Sequence, residues 1–174
     1  MSAVDEIVYL LDDAFEGKGV EASNESQSLL ANLATVPEEL WRRLPPSGAR
    51  SIESIALHVG SCKVMYDDHA FGEGKLRWDQ PTPELQPWPE TEAPMKETIA
   101  WIRGAHERFV SHVRALSDDD LATPRRANWG ELKETRWLIA VIIEHDAYHA
   151  GEINHIRSLF AGEDRWRWQQ NLGG

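Results

Sequence analysis

Residues 135–162, TRWLIAVIIEHDAYHAGEINHIRSLFAG, constrain the fold more than any other stretch of this 174-residue chain. Leu138, Val141, Ile142, His145, His149, Ile153 and Ile156 recur at three- and four-residue steps, which places them on one stripe of a single long helix. Thr135 is positioned to cap its start, and Gly162 to end it in the left-handed conformation. Two of the stripe residues are histidines. Four residues make about one turn, so both imidazoles leave the same face roughly 6 Å apart. That is a workable spacing for two nitrogens on one metal ion. The competing reading is a hydrogen-bonded core pair, whose ring nitrogens would need partners that an apolar surround does not supply. The spacing alone leaves the two readings level.

The remaining segments supply helices for this one to pack against. Residues 3–15 form a first short helix with Val4, Ile7, Val8, Leu11 and Phe15 on one side, stopped by Gly17 and Gly19. A second helix covers about 23–34, with Leu29, Leu30 and Leu33 inward. Pro37 opens a short turn carrying Trp41, and Pro45 and Pro46 end it. Ser51 caps a helix that runs to about Phe71, with the inward stripe Ile55, His58, Val59, Cys62, Met65 and Tyr66. Residues 72–93 hold Pro81, Pro83, Pro87 and Pro89 with Trp78 and Trp88, and no periodicity survives there. They read as a proline-stiffened strap, with a lid over a binding site as the alternative role. Residues 94–116 then place Met95, Ile99, Ile102, His106, Phe109, Val113 and Leu116 in a heptad-like row. Ser117 and Asp120 resemble a capping box for a further turn. No strand pattern is visible. The expectation is an all-α four-helix bundle in one domain spanning 1–174, its core about 22–161, with helix 3–15 and the tail 162–174 packed on it.

Composition excludes several function classes. A formal net charge of −11 argues against a nucleic-acid surface, which needs clustered Lys and Arg. The longest apolar run, Trp137 to Ile143, is far short of the roughly 20 residues that cross a bilayer. The N-terminus carries acids where a signal peptide needs a basic region. One cysteine, Cys62, allows no internal disulfide and fits a reducing compartment. The expectation is a cytoplasmic protein with a small-molecule substrate and with neither nucleic-acid nor membrane partners.

Three long helices carry histidine on an inward stripe: His58, His106, and His145 with His149. His69, His112 and His155 fall off the stripes and read as surface or interface residues. A histidine in RSIESIALHV, followed by a last helix reading EHDAYHAGEINHIR, resembles the DinB-like superfamily over about residues 22–161. The resemblance implies one divalent metal, zinc or nickel, held by His58, His145 and His149. Three neutral nitrogens leave such an ion an open position, the mark of a catalytic site. A soft thiolate also suits it, and family members include mycothiol-dependent maleylpyruvate isomerase and related thiol-dependent transferases. The implied function is a metal-dependent thiol transferase or hydrolase, with a low-molecular-weight thiol as a second cofactor. The alternatives are a non-catalytic metal- or small-molecule-binding module, or a stress-related protein stapled by its metal. Homodimers are common in the family, and Trp78, Trp88, Trp166 and Trp168 offer an apolar contact surface, so a homodimer is expected.

The neighbours of the histidines divide. Glu152, one turn beyond His149, reads as a general base or as a partner for a histidine N–H, against a plain solvated glutamate. Asp146 points some 100° away from His145 and reads as surface, as does Glu144. Gly151 reads as a site of close helix approach. Cys62 reads as packing, with a fourth ligand as the alternative. The family pattern has no ligand there. His106 reads as a hydrogen-bonded core residue, and Tyr66 and Tyr148 as tyrosines at a bundle end that could line the pocket.

Overall fold

The computed structural model describes residues 2–17, 28–46, 48, 50–88 and 92–162. Its helices are α1 (Ala3–Glu16), α2 (Leu29–Leu33), α3 (Glu38–Trp41), α4 (Ile52–Phe71), α5 (Met95–Arg114) and α6 (Thr135–Ala161). A 3₁₀ turn, Asp118–Ala122, follows α5. The fold is all-α apart from one small antiparallel pair, β1 (Pro124–Arg126) with β2 (Leu132–Glu134), in which Arg125 faces Lys133. No strand is expected from the sequence, because three residues are too few to display a two-residue alternation.

Local chemistry sets most of the ends. Ser2 and Ser117 form capping boxes with Asp5 and Asp120, and Ser28 and Ser51 each accept a backbone N–H in the first turn of α2 and α4. Gly17 and Gly162 close α1 and α6 at φ of 73° and 72°. Thr135 is not the cap of α6. It is the first helical residue, and its Oγ1 donates to the Thr123 carbonyl at 2.7 Å while accepting from Arg125 Nε at 3.0 Å. The β-hairpin therefore fixes where α6 begins. Of the helix expected over 23–34, the described part is Leu29–Leu33, and residues 18–27, with Gly19, lie outside the described residues.

Helix α6 is the axis. It packs on α1, α2 and α4, and α5 packs on α1 and α4. The apolar core falls into two main clusters. One gathers Phe15, Leu29, Leu33, Ile52, Ile55, Val59, Ile102, Ala150 and Ile153. The other gathers Val4, Val8, Leu11, Phe109, Val113, Ile139 and Ile142. Between them along α6 lie His145, Asp146 and His149, and between them along α5 lies His106. A polar layer thus divides the core, and the candidate site belongs to it.

The close-approach glycine is Gly60 on α4, where an added Cβ would come within 2.2 Å of the Trp101 ring on α5. Gly151 has nothing within 4 Å of such a Cβ and marks no approach. The strap after α4 is tied down in two places. Leu76 is held by Asp68 Oδ2 and by His69 Nε2, and the Leu85 carbonyl accepts from Ser61 Oγ at 2.8 Å. His69, expected at the surface, is 7% exposed because it makes the first of these ties.

Candidate metal centre

His58 stands in the second turn of α4, and His145 and His149 face it from the middle of α6. Buried neighbours on the same helices, Ile55 and Val59 on one side and Ile142 and Ile153 on the other, fix both backbones. Nε2 of His145 lies 3.1 Å from Nε2 of His58 and 3.2 Å from Nε2 of His149. Two nitrogens on one tetrahedral ion, each about 2.1 Å from it, stand about 3.4 Å apart. Nε2 of His145 therefore stands from each of the other two at nearly the separation that a shared ion requires. Nδ1 of His145 is buried and has no hydrogen-bond partner among the described residues, so this ring makes its polar contacts through Nε2.

Charge favours neutral imidazoles here. Burial pushes His145 down to about 3, with His149, His58, Lys63 and Arg50 adding to the effect. Burial also lowers His58, and it lowers His149 against the opposing pull of Glu152. Neutral rings keep the lone pairs that a metal needs. His149 Nδ1–H donates to Glu152 Oε2 at 2.8 Å, which leaves the lone pair of the neutral ring on Nε2. Glu152 Oε1 in turn accepts from Arg50 Nη2 at 3.0 Å. Of the readings open for Glu152, the geometry favours an orienting partner of a histidine.

A cavity of about 310 Å³ opens beside His58, lined by Arg50, Ser54, Leu57, Ser61, Trp78 and Gln86. Trp78 and Gln86 belong to the strap, so the strap forms a wall of this cavity. A second cavity, about 410 Å³, lies beside Arg50 and Glu152. A larger one, about 640 Å³, lies away from the histidines between Trp41, Arg42 and Met95. Tyr148 is 67% exposed, with its ring centroid 5.0 Å from that of His149. Tyr66 lies elsewhere, edge-on to Trp129.

Among the sequence expectations, Asp146 is corrected most sharply. Its side chain is fully buried and accepts from Lys63 Nζ at 2.6 Å. Burial pushes the carboxyl up from the usual range, and the Lys63 ammonium opposes that. Lys63 Nζ also approaches His106 Nδ1 at 3.4 Å, and His106 Nε2 reaches Asp12 Oδ1 at 3.2 Å. His106 stacks on Phe15 at 3.9 Å and is the hydrogen-bonded core residue expected. Glu144 is exposed, as expected. His112 pairs with Asp67 at 2.7 Å, and His155 is exposed. Cys62 is 6% exposed, and burial pushes its thiol up to about 12. Its Sγ lies 3.7 Å from both ring nitrogens of His58.

A model of the DinB superfamily matches residues 21–153 of the chain. The chain belongs to the DinB superfamily. A DinB-like protein from Bacillus cereus ATCC 10987, known from a crystal structure, has the same fold at a TM-score of 0.57 and 18% identity. The likeness covers 79% of this chain and 86% of that one. No curated protein matches significantly. In this DinB superfamily chain, no helix among the described residues is long and apolar enough to cross a membrane.

Proposed function

We propose that this DinB superfamily protein binds one divalent metal, zinc or nickel, through His58, His145 and His149, and that the loaded site is an enzyme centre. The observation that carries the reading is the position of His145 Nε2, 3.1 Å from His58 Nε2 and 3.2 Å from His149 Nε2. When bound, the ion supplies Lewis acidity to an anionic or polarised group of the substrate. The chain's own residues do the rest. Glu152 holds His149 in the Nδ1–H tautomer, and Arg50 holds Glu152. The cavity beside His58 is the size of a small-molecule site. The reaction class is thiol-dependent S-transfer or hydrolysis. The second reading is a module that binds metal or a small molecule without turnover. It is supported by the lining of the cavity beside His58, which among the described residues holds no carboxylate, and by Glu152 being paired with His149 and Arg50.

Metal-loaded and chelator-stripped protein should be screened side by side with aryl esters and with an electrophile plus a low-molecular-weight thiol. Metal-dependent turnover in either assay supports the enzyme. Full metal loading with no turnover in both favours the binding module.

We also propose a homodimer in the cytoplasm. Trp129 and Trp137 stand edge to face, 49% and 43% exposed, beside Leu132 at 67%. The two rings are exposed apolar surface of the kind that partners cover. Of the tryptophans named from the sequence, Trp78 is 48% exposed and Trp88 is half-buried, edge-on to Trp101. Trp166 and Trp168 lie outside the described residues.

A further inference from the structure

Ser54, Leu57, His58 and Ser61 share one face of α4, and the cavity beside His58 runs along that face. Arg50, four residues before Ser54, lines the same cavity. Among the described residues this lining holds one permanent cation, Arg50, and no carboxylate, although the chain carries 29 acidic side chains against 18 basic ones. Ser54 and Gln86 add neutral O–H and N–H groups, and Leu57 and Trp78 add apolar wall. Arg50 is held in place without being used up. Its Nη2 donates to Glu152 Oε1 at 3.0 Å, and Glu152 Oε2 accepts from His149 Nδ1 at 2.8 Å. Two hydrogen bonds thus tie the guanidinium to a ring of the candidate metal centre. Its Nε and Nη1 make no hydrogen bond to the described residues, and the side chain is 41% exposed. With neutral imidazoles, a divalent ion brings two positive charges, Arg50 adds a third and Glu152 cancels one. The loaded site therefore keeps an excess of positive charge in a chain whose formal net charge is −11.

We propose that Arg50 selects the ligand of this site: a small molecule with a carboxylate at one end, paired with Arg50, and a group that reaches the ion at the other. The proposal rests on the three-histidine reading above, and it holds for an enzyme and for a binding module alike. One cation in the lining matches one negative charge, so a carboxylate suits the cavity better than a doubly charged phosphate ester. The guanidinium nitrogens left over by Glu152 donate charge-assisted hydrogen bonds to it. At about 310 Å³ the cavity is at the small end of ligand sites, which limits the molecule to a short one. Specificity follows from the same contact, because an uncharged analogue of equal shape leaves the guanidinium without its partner.

The test is calorimetric titration of the zinc-loaded full chain with meta- and para-mercaptobenzoate and with the matching mercaptobenzamides, the zinc content of each protein being measured first. The rigid ring keeps the two ends of a probe from reaching one ion together, so the thiolate takes the ion and the other end is left for Arg50. At least one acid is expected to bind the parent about 10–100-fold more tightly than its amide. That ratio should fall to near one in Arg50→Gln and Arg50→Met and be intermediate in Arg50→Lys, which keeps the charge without the guanidinium. Comparing acid with amide inside each protein cancels any change in zinc affinity, and where one neutral variant holds no zinc the other carries the comparison. A zinc-loaded parent that binds acids and amides equally, or binds neither, overturns the proposal and leaves the three-histidine site standing. An acid preference that survives in the neutral variants does the same. A parent that takes up no zinc overturns both.

Discussion

Lys63 and Asp146 are fully buried and face each other across the middle of the molecule, 2.6 Å apart. Removing one member leaves the other as an uncompensated buried charge, whereas replacing both with apolar groups of similar volume removes the whole desolvation cost. Lys63→Met is therefore expected to lower unfolding free energy by about 3–5 kcal/mol. The double variant Lys63→Met, Asp146→Leu is expected to recover most of that loss, and denaturant titration of the three proteins measures both effects. A double variant that loses as much as or more than Lys63→Met would contradict this account. Glu152 acts at the same scale on the site. It accepts from His149 Nδ1, and loss of such a partner typically costs about 10–100-fold in metal affinity. Calorimetric titration of Glu152→Ala with zinc is expected to show a loss in that range. An unchanged affinity would mean that His149 is oriented by packing alone.

Helices α4 and α5 touch most closely at Gly60 and Trp101, and there the backbone itself is the contact surface. A methyl at Gly60 meets the Trp101 ring at 2.2 Å, so Gly60→Ala should destabilise by about 1–3 kcal/mol through overpacking. Gly151→Ala, into open space on α6, should instead stabilise by about 0.5–1 kcal/mol, the helix penalty of glycine removed. Thermal melts of the two variants should move in opposite directions. The long helices and the three histidines were legible because apolar steps of three and four residues write a buried face directly into the sequence. Asp146 was misread because only one stripe of α6 was followed. Ile139, Ile142, Asp146, Ala150 and Ile153 form a second buried stripe with the same steps, since α6 is enclosed by α1, α2 and α4. Lys63 completes a similar row after Ile52, Ala56 and Val59. A charge inside an apolar row was the available signal. The hairpin left none, because strands of three residues carry no period. Gly151 and Gly60 could not be told apart, because what decides a glycine's role is the side chain facing it from another helix.

For the molecule as a whole, the polar layer explains why the site lies where it does. Two apolar clusters hold α4 and α6 on either side of the histidines, so the rings are positioned by core packing at both ends of each helix. The strap closes one side, anchored to α4 at Leu76 and Leu85. The proposed dimer is checked by light scattering during size-exclusion, where a particle of twice the chain mass is expected, and a Trp137→Glu variant should shift it to the monomer. A parent eluting at the chain mass would remove the dimer. The central claim is that His58, His145 and His149 hold one ion, and elemental analysis of the parent and His145→Ala proteins after incubation with zinc or nickel tests it most directly. The account predicts about one equivalent of metal in the parent and none retained in the variant. No metal in either protein would contradict it and make the three rings a hydrogen-bonded part of the polar layer.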